Sequence, residues 1–396
     1  MSRRGFRTSL CVLSLTLAVA GAGCGGVRPN QPAAQEPPVS SQPKATNLRT
    51  VNDPTTLNLA QITEGMKDLA NSGEGSVAAR VQAVFANWKL EPFLSSVLVL
   101  EGDLNADAKN EVVAVYKDPK SVNGAGTLFV FYQKDQTWQV ERPAEEILSP
   151  ALYGLADLNQ DGVNEIVWGS NSVGANTANT TVFVTAWAPG AFRRLPGDVS
   201  MTNARVEVKG QALVMTGNTK GGYGAGSAQR QRIDTYKWVD GALKAVDKQF
   251  TPSDFAYHRL LDGLLAEEFS KEDEARKAYA DASWKPVLPA GDAVASEMRD
   301  QLTIAVGALA RFRNALLLMQ ANTPDEYVGK LLNGTPAPFD GLGKAALGAR
   351  SREAACTAAI EWVKANPDFL KALNSPRGYA NPQWKGPDIC SPMPNF

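Results

Sequence analysis

The sequence predicts an α+β fold in which antiparallel β-hairpin repeats are followed by an all-α C-terminal domain. Over residues 91–250, β-branched and aromatic runs recur with the same internal spacing, which is typical of a duplicated set of strands. Over residues 251–396, apolar residues recur every three or four positions, which is typical of helices that pack on one another. Two helical patterns within residues 49–90 precede the strands.

The composition argues against two classes of function. The formal net charge is −1, and basic and acidic residues are mixed along the chain, so we expect no nucleic-acid partner, which would require a concentrated basic face. His258 is the single histidine, which excludes a His-rich metal site. We predict that His258 is an ordinary structural or surface side chain.

Residues 1–23 predict an export signal. A basic segment over residues 1–7 precedes an apolar run over residues 10–22, and this run is too short for a permanent membrane helix. Residues 2–6, Ser-Arg-Arg-Gly-Phe, are similar to a twin-arginine export motif, and a plain basic segment would give a similar string. Both interpretations stay open.

The end of this signal resembles the lipobox of bacterial lipoproteins, because the small residues 21–23 lead directly into Cys24. The resemblance implies cleavage before Cys24 and acylation of that cysteine, with palmitate among the acyl groups. Residues 24–48 are rich in Pro, Gln, Ala and Ser and predict a flexible lipid tether. We therefore expect an exported protein, anchored to a membrane through Cys24 on the periplasmic or extracellular side, with no later membrane span.

Two acidic motifs, residues 103–111 and 157–165, lie 54 positions apart, and each runs into a strand-like apolar segment. Each unit closes on an aromatic residue 35 positions after its first aspartate, Trp138 in the first and Phe192 in the second. Equal offsets at both ends favour an internal duplication. A third copy is predicted from the apolar segments at 212–215 and around Trp238, and it lacks the acidic motif.

The second acidic motif places oxygen donors at alternate positions of one tight turn. The donors are Asp157, Asn159, Asp161, the backbone carbonyl of Val163 and Glu165. Calcium takes six to eight oxygen ligands, and this spacing allows one turn to surround one ion. Gly162 permits the positive φ that the bend needs. The motif is not an EF-hand, because its twelfth position is Trp168. Solvated turns that merely link strands are the alternative.

An acidic motif of this kind followed by a strand resembles the FG-GAP and VCBS repeats, which are similar to the propeller of integrin α chains. The resemblance implies a partial propeller-like arrangement in which structural Ca²⁺ sits between two strands of a blade. It implies the same ligand positions in the first copy, which are Asp103, Asn105, Asp107, Lys109 and Glu111.

Two cysteines, Cys356 and Cys390, remain in the helical domain over residues 251–396. In an oxidising compartment such a pair predicts a disulfide, and two free buried thiols are the alternative.

These features predict a non-enzymatic, calcium-braced binding or scaffold module of the cell envelope, whose partner is an unknown envelope protein or glycan. One alternative is a glycan-active enzyme that uses a carboxylate pair. Its candidates are Glu145–Glu146 and Glu267–Glu268, and we expect both pairs to lie on ordinary exposed faces. The other alternative is a helper subunit that binds partners through its C-terminal helices.

Overall fold

The computed structural model describes residues 47–73, 75–144, 147–174, 178–218, 230–289, 294–323, 325–377 and 383–391. The predicted signal, the lipid anchor Cys24 and the tether up to residue 46 lie outside the described residues, as do Glu145 and Glu146.

Two helices begin the described chain, α1 (Leu59–Asn71) and α2 (Val77–Asn87), after two short 3₁₀ turns. Asn58 starts α1 with a reciprocal cap, because its side chain accepts a hydrogen bond from the Gln61 N–H while the Gln61 side chain accepts one from the Asn58 N–H. Arg80 on α2 donates to carbonyls at the end of α1, including that of Leu69, and thereby holds the two helices together.

The strands form three consecutive antiparallel meanders of four strands each. The first meander contains β1 (Val99–Gly102), β2 (Glu111–Lys117), β3 (Ala125–Lys134) and β4 (Thr137–Glu141), with the short β5 (Ile147–Leu148) beside β3. The second contains β6 (Ala151–Ala156), β7 (Glu165–Val173), β8 (Ala178–Ala188) and β9 (Ala191–Arg194). The third contains β10 (Val199–Lys209), β11 (Ala212–Asn218), β12 (Gln231–Val239) and β13 (Ala242–Phe250).

The second and third meanders belong to one eight-stranded sheet, because β10 pairs with two partners. Its residues from Val199 to Thr202 pair with β8, whereas Thr202 and the residues from Arg205 onward pair with β11. The pairing shifts between Thr202 and Arg205, where Asn203 has a φ of 50°. A bulge of this kind bends a strand.

Each meander forms one layer of a stack, and clusters of buried apolar side chains join each layer to the next. Val113 and Leu128 of the first meander share a cluster with Trp168 of the second, and Val167 of the second shares another with Met215 of the third. Helices α1 and α2 cover the other face of the first meander. The two helices therefore pack on the first meander in the same way that the first meander packs on the second.

Residues 54 positions apart take equivalent places in these layers. The residues directed towards the following layer are Val113, Leu128 and Val130 in the first meander and Val167, Val182 and Val184 in the second. The residues directed towards the preceding layer are Val112, Ala114 and Phe129 in the first meander and Ile166, Trp168 and Phe183 in the second.

The C-terminal part is helical, as predicted, and α5 lies at its centre. The helices are α3 (Ala256–Glu268), α4 (Glu272–Ala282), α5 (Ser296–Gln320), α6 (Asp325–Asn333), α7 (Asp340–Ala346), α8 (Arg352–Ala365) and α9 (Pro367–Asn374), before a 3₁₀ turn at Gly386–Ile389. By length and composition α5 could cross a membrane, contrary to our expectation from the sequence, but 72% of its most apolar window is buried inside the protein. Its neighbours include the six other helices of this domain.

The observed class is a mixture of helix and sheet with antiparallel, open sheets and C-terminal helices, which confirms the coarse prediction.

A disulfide joins Cys356 on α8 to Cys390, which follows the last 3₁₀ turn, with 5.9 Å between the two Cα atoms. This C-terminal segment contributes two core side chains, Trp384 and Ile389, which are almost fully buried. The Trp384 indole N–H donates to the Tyr257 hydroxyl on α3 at 3.2 Å. The disulfide thus fixes a segment that closes the helical core.

Replacing both cysteines by serine is expected to lower the free energy of unfolding by about 3–4 kcal/mol, because the cross-link closes a long loop in the unfolded chain. Urea unfolding of the oxidised protein and of the double variant measures the difference. Treating the variant with a dithiol reductant is the control, since it should change nothing further. Equal midpoints for the two proteins would contradict the prediction.

Candidate metal-binding turns

The two acidic motifs form turns at the same edge of the stacked meanders. The first connects β1 to β2 and the second connects β6 to β7, so each lies between the first and second strand of its meander. The ends of β1 and β6 lie side by side, since a β-carbon placed on Gly102 would stand 3.0 Å from Leu155 Cδ1. The two acidic turns therefore begin at neighbouring strand ends.

In the second turn, side-chain oxygens accept hydrogen bonds from the backbone that follows them. Asp157 accepts from the N–H groups of Asp161 and Gly162, both at 3.1 Å. Asn159 Oδ1 accepts from the Asp161 N–H, and Asp161 Oδ1 accepts from the Val163 N–H, both at 2.9 Å. The turn is thus curled around its own acidic side chains, and Gly162 has the predicted positive φ, 90°.

The first turn repeats this pattern 54 residues earlier. Asp103 Oδ2 accepts from the Ala108 N–H at 3.0 Å, Asn105 Oδ1 from the Asp107 N–H at 3.0 Å, and Asp107 Oδ1 from the Lys109 N–H at 2.9 Å. Ala108 stands where the second turn has glycine, and its φ is 62°. A left-handed alanine costs on the order of 1 kcal/mol, so the first turn is the more strained of the two.

A buried glutamate ends each turn and ties it to its beginning. Glu111 and Glu165 are each 1% exposed. Glu111 Oε2 accepts from the Leu104 N–H and Glu165 Oε2 from the Leu158 N–H, both at 2.8 Å. The leucine at the second motif position is itself fully buried in both turns. The ligand spacing in the sequence does not predict that the glutamate accepts a hydrogen bond from the backbone. The leucine repeated at the second motif position could have indicated that the start of each turn is buried.

Burial sets the protonation of these two glutamates. Burial, with a smaller contribution from the nearby Asp107 and Asp103, raises the pKa of Glu111 to about 7, although the hydrogen bond from the Leu104 N–H acts in the opposite direction. Burial likewise raises the pKa of Glu165 to about 7, with Asp161 and Asp157 adding to the effect. Within the described ranges neither glutamate forms an ion pair with a basic side chain.

The structure brings the predicted ligands of each set into one turn but does not cluster their carboxylates. Among the described residues, no group of three or more His, Cys, Asp or Glu side chains is arranged to hold a metal ion. The Lys109 ammonium is directed to Gln133 Oε1 at 3.3 Å, so only its backbone carbonyl remains as a donor. Each turn offers a set of carboxylate, amide and carbonyl oxygens, which is the chemistry that Ca²⁺ prefers.

The third meander has no such turn, in agreement with its sequence. A tight turn at Gly210, with a φ of 58°, connects β10 to β11. Val208 packs close to Gly154, where a β-carbon would stand 2.9 Å from Val208 Cγ2. β10 therefore packs closely against β6 next to this turn.

The comparisons with known proteins identify no relative: no family model matches the chain, and no curated protein matches it either.

The second acidic pair, Glu267–Glu268, has a structural environment that the sequence did not predict. We expected an exposed face, but the Glu267 side chain is only 4% exposed and lies 2.6 Å from Arg313 Nη2. The expectation was wrong for Glu267 because Arg313 and Arg352 come from distant helices and compensate its charge. Tyr279 also donates a hydrogen bond to Glu267. Glu268 is partly exposed and pairs with Lys248 at 2.6 Å.

The single histidine lies apart from both turns. His258 is buried on α3, and its Nδ1 atom lies 2.7 Å from Ser253 Oγ.

Glu267→Gln is expected to lower the free energy of unfolding by about 3–5 kcal/mol, because it leaves the buried Arg313 guanidinium without its counter-charge. Glu268→Gln is the matched control and should change it by less than about 1 kcal/mol, since that pair is partly exposed. Chemical unfolding of the three proteins gives both values. Equal losses in the two variants would show that Glu267 has no special structural role.

The pH dependence of stability follows from the two buried glutamates. Their folded pKa of about 7 lies above the ordinary value of 4.5, so the folded protein binds protons more tightly than the unfolded chain. Their contribution to stability is complete below the ordinary pKa and is lost as the pH rises through about 7. In a calcium chelator, the melting temperature is therefore expected to fall between about pH 5 and about pH 8.

Glu111→Gln with Glu165→Gln should reduce this fall, because glutamine can still accept the backbone hydrogen bonds but carries no charge. Differential scanning fluorimetry across the pH range measures it. A fall of the same size in the double variant would assign the pH dependence to other groups.

Proposed function

We propose that this chain is an exported, lipid-anchored protein of the cell envelope, a non-enzymatic binding or scaffold module in which calcium braces stacked β-meanders. The observation that carries the proposal is the pair of acidic turns with the same hydrogen-bond pattern, each closed by a buried glutamate that forms no ion pair with any basic side chain that the structure describes. The two aspartates of each turn repel the charge of its glutamate even though the three carboxylates do not converge, and a divalent cation would offset that repulsion.

The calcium ligands in this proposal come from within each turn. In the second turn they are Asp157, Asn159, Asp161, the Val163 carbonyl and Glu165, and in the first turn Asp103, Asn105, Asp107, the Lys109 carbonyl and Glu111. Bound calcium would supply positive charge that lowers the pKa of the buried glutamates and locks the ends of two neighbouring strands. In this proposal its role is structural, because a full shell of protein oxygens leaves no open position at which the ion could activate a substrate.

The arrangement of the meanders supports a partial propeller. Propeller blades are four-stranded sheets that pack around an axis. Here three four-stranded meanders pack in sequence order, and their first strands lie beside one another, β1 next to β6 and β6 next to β10. The helices α1 and α2 replace a preceding blade.

The lipid anchor in this proposal is Cys24, and it makes the membrane the first partner. An envelope protein or glycan is the second partner. Such a module would present its meanders and helices to that partner.

A helper subunit that works through the C-terminal helices is the second candidate function. A cavity of about 640 Å³ lies between α6 and the loop before α8, and Val328 and Leu332 are among its lining residues. Leu347 borders the same cavity and is 38% exposed. A partly apolar recess with an exposed leucine is a suitable place for a partner side chain.

Calcium titration of the full chain by calorimetry tests the proposal, with Asp161→Asn as the variant. We expect saturable binding and a higher melting temperature in calcium, and we expect the variant to lose the binding of one turn while the other turn still binds. Asp135→Asn is the matched control, because Asp135 is also an exposed turn aspartate between two strands. No binding at millimolar calcium, or equal losses in both variants, would overturn the calcium role.

A further inference from the structure

A cleft of about 510 Å³ lies where the last strand meets the first helical hairpin. Its lining comes from β13 on one side and from α3 and α4 on the other, and it includes the rings of Phe250 and Phe269. Small-molecule sites commonly have this volume and often occur where two structural units meet. The cleft is separate from both acidic turns, since none of their residues lines it.

The lining of this cleft is predominantly basic. Five basic side chains face two acidic ones, and the basic ones are Arg230, Lys248, Arg259, Lys271 and Lys277. Lys248 and Lys271 pair with acids that do not line the cleft, Glu268 and Asp247. Lys277 forms no ion pair among the residues that the structure describes.

Arg230 is the residue that distinguishes this cleft from a merely basic surface. Its side chain is 6% exposed, and its guanidinium lies 4.9 Å from the centre of the Phe250 ring. Asp262 Oδ1 pairs with Arg230 Nη1 at 2.9 Å, and Arg259 pairs with the other oxygen of the same carboxylate. The carbonyls of His258 and Thr251 accept hydrogen bonds from Nη1 and Nη2 of Arg230. The Nε–H is buried and has no acceptor within the described part of the chain. Among these residues the Nε–H is thus the one donor of this guanidinium that is left, and a buried N–H without an acceptor is rare because leaving it unsatisfied is costly.

We propose that this cleft binds a small organic anion, with Arg230 as its deepest contact and Lys277 at its rim. A carboxylate or phosphate oxygen is the acceptor that a guanidinium N–H prefers. The two phenylalanine rings offer apolar walls for the rest of such a molecule. This site is independent of calcium and of the proposed scaffold role, since it uses neither acidic turn.

The test is calorimetric titration of the full chain with inorganic phosphate and, separately, with succinate, in calcium-free buffer of constant ionic strength. We expect saturable binding of at least one probe. Binding of phosphate alone would assign the site to phosphorylated molecules, and binding of succinate would extend it to carboxylates. Arg230→Lys is expected to abolish binding, because lysine has no planar donor at the Nε position.

Lys277→Glu is the second variant, since Lys277 is exposed and the fold does not depend on it. Charge reversal at the rim should weaken the binding about tenfold. Arg276→Glu is the matched control, because Arg276 is exposed on the same helix and does not line the cleft. This substitution should change the affinity for the probe by less than about twofold. The absence of saturable binding for both probes, or equal weakening by the two charge reversals, would overturn the proposal.

Discussion

The burial of strands on both faces is the constraint on which the rest of the β-structure depends. All but the last residue of β2 is buried, so this strand needs an apolar layer on each side. The second meander covers one face, and α1 with α2 covers the other. The same requirement recurs at β7, whose first five residues are buried between the first and the third meander. The order of layers therefore follows from strands that cannot face water.

This layering explains why the acidic turns carry buried glutamates. Glu111 and Glu165 are the first residues of β2 and β7, and they enter the stack with those strands. The backbone N–H groups of Leu104 and Leu158 satisfy one carboxylate oxygen in each case, but a hydrogen bond does not neutralise a charge. Each glutamate thus has a hydrogen-bonded carboxylate oxygen but an unfavourable ionisation, and this combination favours the protonated form of both side chains.

The features that depend on local spacing could be predicted from the sequence, and those that depend on distant partners could not. The strand segments, the missing acidic turn of the third copy and the long central helix α5 all follow from short-range patterns. The buried state of Glu267 does not, because Arg313 lies 46 residues away in the sequence and no local pattern joins the two. For the same reason, the amphipathic pattern of α1 predicts a helix but not the sheet face that it covers.

The double pairing of β10 has a mechanical consequence. Hydrogen bonds between β8 and β10 make the second and third meanders one continuous ladder. Among the described residues, the first meander is held to the second by side-chain packing, the bridge from Val97 to Leu152 and a few side-chain hydrogen bonds, such as that from Ser170 to the Leu148 carbonyl. Tension applied at the N-terminal end of the described chain therefore reaches the α1–α2 layer and the first meander before it reaches that ladder. Under load, the molecule would shed its outer layers in sequence order and keep the two fused meanders until last.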